Sequence, residues 1–339
     1  VVTIKDVPGY ATLVQKNTLE SLDDYITDAG INLADFNGIT DQVTVDGSLY
    51  ELPFRSDYWL IYYNKDVFDA AGIAYPSNDM TMEDYDALAR QLTDTTYGSQ
   101  VYGCHYHTWR SAVELFGILD GKHSILDGNY DWMIPYYDMI LSEEDDGVCQ
   151  TYTDLSTEGL HYSAAFSNGN VAMMNMGSWF ISTLISNLDS GEYDSSLCGN
   201  WGIASYPHPD GAEAGSTIAT ITGLAVTSAS ANKDAAFDFV NWVSGTEGAK
   251  VMASTGNFPA IMTDDVINTI AGMAGFPTDE GSKEALNITN AYLEVPYAEN
   301  VSEINSILDT YHTSIMNREV TVEEGVASMN EQVGKILNQ

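Results

Sequence analysis

Short apolar runs alternate along the chain with stretches in which apolar residues recur every three or four positions. That alternation predicts an α/β architecture with several buried strands. Val1 to Ile4 reads as a buried strand and Tyr10 to Lys16 as a helix. Asp46-Gly47-Ser48 reads as a hairpin turn leading into a strand over 49–53, and Trp59 to Tyr63 as a second, continuously apolar strand. Thr81 caps a helix whose apolar face is Tyr85, Leu88 and Leu92, with Asp84 three residues after the cap. Ser111 to Leu119 predicts another helix, and Val171 to Met176, Trp201 to Tyr206 and Leu224 to Thr227 predict strands. Asp234 to Val243 reads as a helix with Ala236, Phe239 and Val243 on its inner side. The last helix carries the strongest signal: Thr321 and Glu324 form a T-x-x-E capping box, followed by Val326, Met329, Val333 and Ile336 at helical spacing.

The chain's 339 residues predict about two domains at roughly 150 residues each. No Pro/Gly-rich linker separates them, which implies a chain that passes between the domains more than once. Lys and Arg number 12 against 49 Asp and Glu, a formal charge of -37. Such a surface repels phosphate backbones and anionic lipid, so nucleic acid is not an expected partner. No apolar run approaches the roughly 18 to 20 residues of a membrane-spanning helix.

Catalytic motifs are missing from the sequence. No G-x-G-x-x-G follows a strand, and neither a Walker A sequence nor a G-x-S-x-G elbow occurs. Carboxylates are too abundant for a glycosidase pair to be singled out by number. Cys104, Cys149 and Cys198 form no C-x-x-C pair; one disulfide could form and one thiol would remain. Cys104, His105 and His107 are the densest cluster of metal-ligand residue types, but a zinc site needs further ligands that the sequence does not place. Asp127, Asn129 and Asp131 resemble the start of a calcium loop without its closing bidentate acid. Neither a metal nor a cofactor is therefore expected.

Three ordered segments carry a resemblance. Leu52-Pro53-Phe54-Arg55-Ser56-Asp57 runs into Leu60-Ile61-Tyr62-Tyr63-Asn64-Lys65-Asp66-Val67-Phe68. Ala165-Phe166 through Gly169 to Ala172-Met173 is followed by Gly177-Ser178-Trp179. Asn232 to Phe239 with Trp242 precedes Gly256-Asn257-Phe258-Pro259-Ala260. Together they resemble extracellular solute-binding protein family 1, in its carbohydrate-binding, maltose-binding-protein-like branch. The resemblance implies a two-lobed periplasmic-binding-protein-like fold with a hinge and an interlobe cleft. Lobe one is expected over 1–57 plus 227–280, and lobe two over 58–226 plus 281–339. The family's usual opening strand, helix and second strand, roughly 60 residues, are expected to be missing before Val1.

The resemblance further implies a non-enzymatic protein that captures a sugar and delivers it to the membrane subunits of an ABC importer. A monomer is expected outside the cytoplasm, as a cell-surface lipoprotein or in the periplasm. A polyamine or peptide ligand is the alternative. Sugar rings present C–H faces to aromatic platforms and hydroxyl rims to polar groups. On that logic Trp179 is the expected platform and Asp57 a ligand-contacting acid. Tyr106, His107 and Trp109 match a cleft segment, and Thr222 and Gly223 lie where the chain should cross between lobes. Asp6 ends the first strand, a usual cleft position. Tyr297 and Glu303 are candidates from the late segment.

Overall fold

A computed structural model describes residues 1–95 and 100–338. Its organising element is one strand. β1 (Val2–Ile4) and β2 (Leu52–Asn64) are the first strands of a seven-stranded arrangement completed by β3 (Tyr102–His105), β4 (Val171–Gly177), β5 (Trp201–Ser205), β6 (Thr217–Ala225) and β7 (Ala291–Leu293). The first half of β2, Leu52 to Tyr58, pairs antiparallel with β6. Its second half leaves β6 and pairs antiparallel with β4 and β5. β1 and β7 join β6, and β3 adds parallel to β4. One strand thus belongs to two sheets, each covered by helices, and the gap between the two halves opens beside its middle.

The apolar pattern predicts two strands where the structure has this single strand of 13 residues. Arg55 and Asp57 look like an interruption of the apolar pattern. They are two residues apart on one face of a strand, and they neutralise each other in a 2.6 Å ion pair. Pro53, which has no N–H to give the ladder, sits at the register shift in the β2–β6 pairing. β6 and β7 hydrogen-bond to the strands of the first half. The second crossing, expected after Val226, therefore falls earlier, and 291–293 returns to the first sheet.

The helix over Lys233–Ser244 also corrects its expected face. Phe237, Val240 and Ser244 are buried, and Ser244 donates to the Leu52 carbonyl at 3.3 Å. Phe239 and Trp242 point outward, each 53% exposed. The offset comes from reading the i, i+3 series one register away. Helix Met82–Thr95 starts as expected, with the Asp84 carboxylate accepting from Thr81 N and the Thr81 hydroxyl accepting from Asp84 N. It lies so close to β3 that a Cβ at Gly103 would come within 1.8 Å of the Ala89 carbonyl oxygen. Among the described residues no helix is long and apolar enough to cross a membrane.

Both halves of the capping box form on Val322–Leu337. Its Val326, Met329, Val333 and Ile336 are buried as the pattern predicts. Thr321→Ala is expected to cost about 1 kcal/mol, read as a lower midpoint in urea unfolding with an unchanged slope.

Candidate functional site

The middle of β2 builds one wall of a cleft of about 820 Å³. Arg55, Asp57 and Trp59 alternate with inward residues and so face the same side. Asp57 is buried. It is held by Arg55 and accepts from the Ser178 hydroxyl at 2.9 Å, while burial pushes its carboxyl above the usual range. Ser178 also accepts from Tyr58 N, which locks the end of β4 against β2. β6 contributes Thr220 and Thr222, and the end of β1 contributes Lys5 and Asp6. Asp6 accepts from Gly9 N at 2.8 Å and caps the following helix.

Three indoles meet at the cleft. Trp59 lies edge-on to Trp179 at 5.5 Å and to Trp109 at 6.4 Å, and Trp109 and Trp179 are 6.3 Å apart. Trp179 donates through Nε1 to the Tyr162 hydroxyl at 3.2 Å, which fixes its ring. A Cβ on Gly177 would stand 2.0 Å from that ring, so the residue two places earlier must be glycine for the indole to fold back. Trp109 stays 39% exposed, an apolar face open to the cleft.

Beside the indoles lies a partly buried polar network centred on Arg110 and Glu114. Arg110 donates to Glu114 at 2.5 Å, to the Asn305 carbonyl at 3.0 Å, to the Asn305 side chain at 2.6 Å and to Asp309. Burial works against the guanidinium charge, but the Glu114 and Asp309 carboxylates hold it on. Asn305, Asp309, His312 and Thr313 come from one face of helix Val301–Met316, at the spacing of successive turns. Glu294 accepts from the Ser111 hydroxyl at 2.5 Å and from Trp59 Nε1 at 3.3 Å. Burial, with Glu114 nearby, pushes its carboxyl up to about 7. His312 donates to or accepts from the Tyr137 hydroxyl at 3.0 Å, and burial beside Arg110 lowers it to about 3.

Residues 1–250 match the family of bacterial extracellular solute-binding proteins. The chain belongs to that family. A sugar transporter from Rhizobium etli, crystallised in an open conformation, is 47% identical with a TM-score of 0.92; the match covers 98% of this chain and 84% of that one. An ABC substrate-binding protein from Listeria monocytogenes, in complex with cycloalternan, superposes at 0.78 with 20% identity, over 99% of this chain and 84% of that one. The sugar-binding protein MalE from Xanthomonas citri superposes at 0.75 with 19% identity, over 99% and 83%. These last two share the two-lobed fold. No curated protein matches the chain.

As a solute-binding protein, the chain brings five of its ten sequence-derived candidates to the cleft: Asp6, Asp57, Trp109, Trp179 and Thr222. The other five lie elsewhere. Tyr106 lies just past β3, and its ring is buried against Tyr85 and Phe116. His107 stands behind Trp109 at 4.6 Å and backs that indole. Gly223 leaves room for the Glu51 carboxylate, which a Cβ would meet at 2.1 Å. Tyr297 packs edge-on to Tyr10 at 5.9 Å. Glu303 is exposed, two residues before Asn305 and so off the helix face that lines the cleft. Asp127, Asn129 and Asp131 serve as local caps: Ser124 N and Asp131 N donate to the first two, and Asn330 donates to the third.

Trp59, Arg110, Glu114, Glu294 and the 305–313 helix face also line the cleft, and no sequence motif singles them out. Trp59 was hidden inside an apolar run. Arg110 carried a usable signal, because it directly follows Trp109 in a chain with only 12 basic residues.

Two outcomes follow from this geometry. Gly177→Ala is expected to destabilise the protein by about 1–3 kcal/mol through overpacking against Trp179, with a shift in tryptophan emission; unchanged emission would show that the ring is not seated there. Glu294 binds its proton more tightly folded, at about 7, than its ordinary 4.5. Its contribution therefore erodes as pH rises from 4.5 through 7. Between pH 5 and pH 8 the parent should lose about 2–3 kcal/mol more than Glu294→Gln, measured by urea unfolding at both values.

Proposed function

We propose that this solute-binding protein captures a sugar or small oligosaccharide in the cleft and delivers it to the membrane subunits of an ABC importer, breaking no bond. The observation that carries the reading is the wall of three indoles facing a fixed rim of carboxylates, amide and threonine hydroxyls. Aromatic faces cover sugar C–H surfaces, and the rim accepts and donates to hydroxyls. In this reading Trp109 and Trp179 are the platforms, Trp59 backs them edge-on, and Asp57, Asp6, Glu294 and Thr222 contact hydroxyls. The 47% identical Rhizobium etli protein is a sugar transporter, which supports the same ligand class.

The two lobes close on the ligand by bending where β2 and β6 pass the cleft, and the closed face is what the importer recognises. The protein acts as a monomer outside the cytoplasm, held at the surface as a lipoprotein or free in the periplasm. One observation favours a second reading, a polyamine or other cation: five carboxylates line the cleft, Asp6, Asp57, Glu114, Glu294 and Asp309, against Lys5, Arg55 and Arg110.

Calorimetric titration with maltose-type and manno-oligosaccharides and with spermidine separates the two. Heat with a sugar is expected, lost by at least tenfold in affinity in Trp179→Ala and kept in Tyr106→Phe. Heat with spermidine alone would overturn the sugar reading.

A further inference from the structure

Behind the cleft segment, on the opposite side of the strand from His105 and His107, Cys104 and Cys149 come together. Their sulfur atoms lie within 4.8 Å of each other and of a Glu143 carboxylate oxygen. All three residues are buried. Cys104 N donates to the Val148 carbonyl at 3.4 Å. That backbone bond holds the residue next to Cys149 against Cys104, so a disulfide, which needs Cα atoms roughly 4.4–6.8 Å apart, would ask for little backbone movement. Cys198 is buried elsewhere, under helix Ser195–Cys198, where its thiol donates to the Asp194 carbonyl.

We propose that Cys104 and Cys149 are joined by a disulfide in the exported protein. This rests on the family's extracellular location, where thiol pairs meet an oxidising environment, and not on which solute is bound. Both thiols are buried, so the bond closes during folding. A disulfide donor of the thiol-oxidoreductase or oxidised-glutathione class exchanges with them: one sulfur–sulfur bond forms in the protein, the donor's is reduced, and its two thiols carry away the protons.

A metal is the competing use of the same cluster, and the surroundings disfavour it. Among the described residues three donors converge, one fewer than a closed zinc site needs. His105 and His107 lie on the other face of the strand. The bridge would staple the ends of a segment that contains Thr108, Trp109, Arg110 and Glu114. It would thereby brace one wall of the cleft from behind.

The test is intact mass and thiol labelling of the full chain refolded from denaturant in a glutathione redox buffer, then alkylated under denaturing conditions. One labelled cysteine is expected, with a mass lower by two hydrogen atoms and a bridged peptide joining Cys104 to Cys149. Cys198→Ser should show no label, and Cys104→Ser and Cys149→Ser should each show two. The oxidised parent is expected to melt about 5–10 °C above its reduced form. Three labelled cysteines in the refolded parent would overturn the proposal. So would two thiols that a chelator, rather than a reductant, exposes. Sugar titration of the same sample is read separately, so failure of the bridge leaves the ligand reading standing.

Discussion

The strand that pairs with both sheets constrains almost everything else in this molecule. Because Leu52–Asn64 trades β6 for β4 and β5 at Tyr58, the two halves must meet along its middle, and one face of the strand there is turned to the cleft between them. A charge buried on such a face is costly unless it is paired. This chain places Arg55 and Asp57 there as a mutually neutralising pair, and then Trp59. The cleft is the consequence of a topological change of partner, and its chemistry is fixed by the three residues that happen to face it.

The remaining cleft chemistry is recruited to that strand by contacts that leave little freedom. Ser178 bonds Asp57 and Tyr58 N, and so sets where the next residue, Trp179, emerges. Trp59 donates to Glu294, which holds Ser111, which begins the helix that carries Glu114 to Arg110. Arg110 then reaches Asn305 and Asp309 on the late helix. A buried ion pair of this kind contributes little net stability, since desolvation offsets most of the attraction. Its effect is positional: three separate stretches of chain are held at one register around the indoles.

The parts of this that were legible in the sequence are those that rest on local patterns. The capping boxes at Thr81 and Thr321 and the buried runs of β4 and β5 needed only neighbours in sequence. The family segments carried Asp57 and Trp179 because both sit inside contiguous motifs. Tyr106 lies outside the cleft because its ring, just past β3, is turned into the core, and His107 because it packs behind Trp109. A motif can place Trp109 at the cleft without saying which neighbours turn inward. Glu294, Asn305 and Asp309 were illegible for a different reason. Their site roles depend on where Arg110 and Ser111 end up, nearly two hundred positions away, and in a chain with 49 acids no acid announces itself.

The same network bears on what the cleft can hold. Arg110 already has four acceptor groups, and Asp57 already has Arg55 and Ser178, so the strongest charges are spent within the protein. An anion entering here would find, among the described residues that line the cleft, no unpaired cation except Lys5 and would face five carboxylates. What remains open is the exposed face of Trp109 beside threonine hydroxyls and the second acceptor positions of carboxylates already fixed in place. A neutral ligand with apolar faces and many hydroxyl donors meets those groups without having to break an ion pair, whereas a ligand of high charge must compete with one. Preorganised acceptors aimed at donors keep the ordering cost of binding low, which is the property a capture protein needs when its ligand is dilute.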